Sequence, residues 1–158
     1  MIPSQMDSGI RLVPAQFKHI GRIARNIREI DRIECEAFGR TPKEALRHGL
    51  MNSAKVWTAL VDDQPEAMFG VVVESVLTGD AVPWFLGTDE VYRHGRELLM
   101  WGPGLIERLR DSTLALRNLV SAENRQAIRL LRRWGFTVGK EIVNVRGVDF
   151  LPFEKVAA

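Results

Sequence analysis

The stretch from Leu114 to Phe136 constrains the fold more than any other part of this chain. Residues 114–120 (Leu-Ala-Leu-Arg-Asn-Leu-Val) form a short, mostly apolar run with the length and composition of a strand buried in a sheet. Just beyond it, Asn124 is placed to cap a helix with its side-chain oxygen. Ala127, Ile128, Leu131 and Trp134 then recur on one side of that helix. Gly135 supplies the left-handed exit that helix ends favour, and Phe136 returns to the core. A strand followed at once by a helix that must pack back on it predicts a sheet with helices against its faces.

The rest of the chain fills in that architecture. Residues 10–13 alternate before Pro14 and predict a short first strand. Phe17, Ile20, Ile23, Ala24, Ile27 and Ile30 recur at helical spacing. They predict one helix running to Ala37 and Phe38, with its Arg, Lys and Glu positions outside and Gly39 as its stop. Thr41-Pro42-Lys43-Glu44 is a capping box with proline at the first helical position, so a second helix starts there and buries Leu46 and Leu50. Residues 56–61 and 67–73 are strands by composition, joined through turn residues 62–65. A second hairpin turn at Thr78-Gly79-Asp80 leads to a strand over 82–86. Residues 89–111 are helical in pattern, with Gly102-Pro103-Gly104 predicted to kink or interrupt them. Two last strands, 142–145 and 148–153, are joined at Arg146-Gly147. The order β-α-α-β-β-β-α-β-α-β-β predicts an α/β (α+β mixed) sheet with helices on both faces.

The 158 residues fit one compact domain over 10–158, with the first nine as a loose tail. A formal charge of +2 favours an anionic ligand but is too small to argue for nucleic acid. No apolar run approaches the ~20 residues of a membrane span, and the first residues lack the pattern of a secretory signal. These features predict a cytoplasmic protein. Cys35, alone, forms no intrachain disulfide. His19, His48 and His94 have no partner at i+3 or i+4, so no metal site is predicted. Arg125, Arg129, Arg132 and Arg133 form a basic stripe that fits a solvated helix face, a phosphate contact or a protein partner.

The segment from Leu119 to Phe136, taken with the order of elements, resembles the late strand–loop–helix segment of the GCN5-related N-acetyltransferases (GNAT). The shared marks are a strand ending in valine, Asn124, Ala127 three residues later, and the closing Gly135-Phe136. The resemblance implies a GNAT-type fold of six to seven strands and about four helices, with two central strands that diverge. It implies acetyl-CoA as acyl donor and a primary amine as acceptor. Coenzyme A contacts would come from Leu86, Thr88, Gly95 and Arg96, and Asn124 would line the pantetheine arm. Aligning the family's phosphate-binding loop on Gly95 puts Tyr92 at its basic position and Glu97 at a small one, both departures. Leu131 stands where many members carry a tyrosine acid, and Glu74 is the best-placed candidate for a general base. Trp84-Phe85-Leu86-Gly87-Thr88-Asp89 further resembles GCN5-like proteins of short-tailed bacteriophages, which include an internal virion protein. That resemblance implies a phage or prophage protein, with a virion or other protein partner if the chemistry has been lost.

Overall fold

The computed structural model describes residues 9–75, 77–109 and 115–156. Most of the expected N-terminal tail (residues 1–8), the end of the expected 89–111 helix and Leu114 lie outside the described residues. Eight strands form one sheet: β1 (Ile10–Pro14), β2 (Lys55–Val61), β3 (Gln64–Ser75), β4 (Asp80–Gly87), β5 (Ala115–Ser121), β6 (Thr137–Val138), β7 (Val143–Val145) and β8 (Val148–Lys155). Their order is β1-β2-β3-β4-β5-β8-β6, with β7 also paired to β8. Every pairing is antiparallel except β4 with β5. The sheet is mixed, as the order of elements predicts, with one more strand than the upper expectation because the two-residue β6 carries no pattern of its own.

The hairpins follow from local chemistry. Asp62 and Asp63 have φ of 50° and 65°, and Arg146 and Gly147 have φ of 49° and 85°. Two consecutive left-handed residues match the right-handed twist of the strands they join, and Asp and Gly tolerate that region better than most.

Six α-helices flank the sheet: α1 (Ile20–Arg25), α2 (Glu29–Ala37), α3 (Pro42–Asn52), α4 (Asp89–Tyr92), α5 (Gly95–Leu109) and α6 (Arg125–Arg133), with a 3-10 turn at Phe17–His19 ahead of α1. Side chains alternate across the sheet. Phe69, Val71 and Ala81 join Leu98, Leu105, Ile106, Ile128 and Leu130 of α5 and α6 in the larger core. Met68 packs with Ile20, Ile23 and Leu46 of α1 and α3, flanked by Trp84 and Leu86, on the other face. Leu46 is fully buried, which stabilises the fold by roughly 1.5–3 kcal/mol. The Thr41 capping box that starts its helix is formed in both directions.

Two helix boundaries differ from the sequence pattern. The single helix expected up to Phe38 is broken between Arg25 and Glu29, because Ile27 forms a β-bridge with Thr88 and the Arg28 amide donates to the Gly87 carbonyl. Of the kink or interruption expected at Gly102-Pro103-Gly104, the interruption does not occur, and α5 runs through Pro103. Losing one backbone hydrogen bond is offset by the burial of Leu98, Leu105 and Ile106 on either side. The break falls earlier instead, at Arg93 and His94 between α4 and α5.

Gly102 has a packing reason. A Cβ there would lie 1.8 Å from Trp134 Nε1, which donates to the Leu98 carbonyl at 2.9 Å. Gly102→Ala should therefore destabilise the protein by about 1–3 kcal/mol despite alanine's better helix propensity. Urea denaturation of the two proteins measures this, and a more stable variant would refute it.

Candidate functional site

β4 and β5 pair only at Asp80 with Ala115 and Ala81 with Leu116, and then part. Between them lies a cavity of about 490 Å³, lined by both strands and by α2, α3 and α6. Register shows which backbone groups face it. Thr88 donates to the Glu66 carbonyl, so Gly87 and Ala67 are a non-bonded pair of the antiparallel ladder. The even-numbered residues of β4 then bond to β3, and residues 83, 85 and 87 turn their N–H and C=O toward β5. In the same way Ala122 donates to the Asp149 carbonyl, which turns Leu119 and Ser121 of β5 toward β4.

Several of these wedge-facing groups are satisfied by side chains, and others by backbone amides. Pro83 has no N–H, and its carbonyl accepts from Asn118 Nδ2 at 2.8 Å. The Asn118 side-chain Oδ1 accepts from Leu119 N–H at 2.7 Å. Gly87 N–H donates to Asp31 Oδ2 at 3.0 Å, and its carbonyl accepts from Arg28 N–H. Ser121 N–H donates to Glu34 Oε2 at 2.7 Å. Helix α2 therefore straddles the open end of the wedge, with Asp31 holding one strand and Glu34, three residues on along the same helix face, holding the other. Phe85 is left. Its N–H and C=O face the wedge where no strand pairs with β4.

Arg28 ties this end together. Its guanidinium donates to Asp31, to Asn124 Oδ1 at 3.2 Å and to Gln126 Oε1 at 3.0 Å, and its Cζ lies 4.0 Å from the centre of the Tyr92 ring. Burial pushes the Asp31 carboxyl up to about 7, outweighing the Arg28 charge beside it. Burial also raises Glu34, against the pull of the Ser121 and Asn124 donors. The Tyr92 phenol is raised as well, mainly by burial, and so stays protonated.

The residues singled out in the sequence are placed as follows. Leu86 sends its side chain into the cavity, while its backbone lies on the β3 side. Thr88 is buried, with both its amide and its hydroxyl spent on Glu66. Gly95 begins α5, and a Cβ there would meet nothing within 4 Å. Arg96 is exposed beside it. Asn124 is buried and caps α6 as expected, accepting from Ala127 N–H, but its Oδ1 also takes Arg28 and its Nδ2 donates to Glu34. Glu74 lines the cavity at its closed end, beside the Val73–Ala81 pair. Leu131 and Tyr92 share the same cavity. Sequence reasoning missed Arg28, Asp31 and Glu34, because their helix pattern put charged positions outside. The one available signal was an Asp and a Glu three residues apart just after the Arg28 break.

A mixed sheet with helices on both faces, whose one parallel pair among the described residues opens into a wedge, matches the fold of acyl-CoA N-acyltransferases of the GNAT type. Solved structures agree. An aminoglycoside acetyltransferase, AAC(6')-Ib, bound to ribostamycin and coenzyme A is similar at a TM-score of 0.65 and 13% identity, over 94% of this chain and 93% of that one. RimL, the ribosomal L7/L12 alpha-N-protein acetyltransferase, in complex with coenzyme A, matches at 0.61 and 11% over 97% of both chains. A GNAT-family acetyltransferase from Bacillus anthracis matches at 0.59 and 11% over 94% and 95%. At such identities the likeness establishes the fold alone. The sequence matches no protein-family profile and no curated protein.

Asp31 gives a pH signature. Its folded value, about 7, lies above the ordinary carboxylate value, so the folded state holds a proton that the unfolded chain has lost. The associated stability is present below pH 4 and disappears as pH rises through 7, by up to about 4 kcal/mol. Urea midpoints of wild type and Asp31→Asn between pH 4 and 8 should differ in slope, with the variant flatter, and equal slopes would refute this.

Proposed function

We propose that the protein is an acyl-CoA-dependent N-acyltransferase that takes an acetyl group from acetyl-CoA and gives it to a primary amine. The observation that carries this reading is Phe85. A half-buried strand edge in a wedge, with one N–H and one C=O facing no strand and with Pro83 and Gly87 on either side capped, suits a thin extended ligand bearing a carbonyl or amide, bonded as a strand would be. The acyl donor is a substrate here, and the chain's own residues bind and orient it. The Phe85 N–H would take the thioester carbonyl, and Leu86 would flank the arm. Gly95, whose missing side chain answers no neighbour in the fold, would let a phosphate approach the start of α5, with Arg96 supplying positive charge. Asn124 retains one amide hydrogen for the arm. Thr88 is spent on Glu66, which argues for Phe85 in its place.

Leu131 supports a second reading. It lines the cavity at the position where the family resemblance puts a tyrosine acid in many members, which fits a phage or prophage protein that keeps the fold for protein contacts in a virion.

Calorimetry separates the two, and hydrogen exchange locates the ligand. Acetyl-CoA should release heat on binding, and the Phe85 amide should exchange freely in the free protein and become protected in the complex. No heat at millimolar acetyl-CoA would end the acyltransferase reading and favour the second.

A further inference from the structure

Glu34 is held in an unusual way for a side chain that lines a cavity. One oxygen, Oε2, accepts from the Ser121 amide at 2.7 Å and from Asn124 Nδ2 at 3.3 Å. The other oxygen makes no hydrogen bond among the described residues, and the residue lines the wedge cavity without being fully buried. Two donors on one oxygen fix the carboxylate plane, and the second oxygen is left for something that is not protein.

Its position along the wedge is set by register. Counting four residues on from the last pair, Ala81 with Leu116, places Phe85 opposite Val120 and one residue short of Ser121. Glu34, on α2 and bonded to the Ser121 amide of the other arm, therefore lies within about one residue of the level of Phe85. Glu74, at the level of Ala81, is some four residues away along the strands, roughly 13 Å.

Building on the acyltransferase reading, we propose that Glu34 is the catalytic base of this protein, receiving the proton that the acceptor amine sheds while the Phe85 amide holds the thioester carbonyl. The amine nitrogen bonds to the carbonyl carbon and its proton passes to the free oxygen of Glu34. The carbon–sulfur bond then breaks, and the thiolate of coenzyme A takes that proton from Glu34, directly or through a water. An amide and a thiol leave, and the carboxylate is restored. Of the other carboxylates beside Arg28, Asp89 is exposed and does not line the cavity. Both Asp31 oxygens are engaged, by Arg28 and by Gly87.

Burial raises the Glu34 carboxyl above its ordinary value, and the groups facing it are Arg28, Asp31 and Cys35 from the first helices, Tyr92 from α4 and Asn124 ahead of α6. The base form is lost as pH falls through that raised value, so the rate should fall there too.

The test follows coenzyme A release with n-butylamine as acceptor, alongside calorimetry with acetyl-CoA. Glu34→Gln keeps an oxygen for Ser121 and Asn124 but cannot take a proton. It should bind acetyl-CoA within twofold of wild type, lose kcat by about 10²–10⁴, and lose the acidic limb of the pH profile. Glu34→Asp should recover part of the rate and restore that limb. A Gln variant as fast as wild type overturns the role of Glu34 alone. Wild type that binds acetyl-CoA without turning over the amine overturns it as well. Wild type that binds no acetyl-CoA overturns the acyltransferase reading and this assignment with it.

Discussion

Two strands that start as a pair and then separate leave two rows of backbone donors and acceptors pointing at each other across a gap. Each such group buried without a partner costs about 1–3 kcal/mol, and the gap would close or fill if nothing else intervened. Here the partner is α2. Asp31 receives the Gly87 amide from one arm, Glu34 receives the Ser121 amide from the other, and the Asn118 side chain serves Pro83 and Leu119 farther in. The wedge is thus an intrinsic feature of the folded chain, held open by side chains that span it.

That solution brings a second problem, since two carboxylates at a strand edge are costly to bury. Arg28 answers it, and the arrangement shows why a lone counter-charge is not enough. Its guanidinium bonds Asp31, Asn124 and Gln126 and lies over Tyr92, so its own desolvation is offset by several partners at once. The chain must leave helical geometry between Arg25 and Glu29 for the Arg28 backbone to reach Gly87. The broken helix, the buried arginine and the capped strand ends are one device.

Sequence pattern reveals this fold well where local chemistry decides it. The Thr41 box, the Asn124 cap, the left-handed Gly39 and Gly135, and the Asp62–Asp63 and Arg146–Gly147 turns all appear where their residue types demand. It fails where a distant partner overrides the local signal. Pro103 looks like a helix end until Trp134, seated on Gly102, is known. Arg28 and Glu34 look like an outer charged face until β4 and β5 are known to part beneath them. The larger part of the candidate site is of this second kind, because its geometry comes from contacts such as Glu34 with Ser121, which lie far apart in sequence. The Asn124 cap is within reach of pattern, whereas the wedge-facing Phe85 backbone follows only from register.

Pro83 has a consequence for how such a protein behaves before anything binds it. An open strand edge invites the edge of another molecule, the first step toward intermolecular sheets. A proline facing outward from β4, with its carbonyl already taken by Asn118, breaks the run of hydrogen bonds that a foreign strand would require. The residue that interrupts this edge therefore also guards it against pairing with a foreign chain.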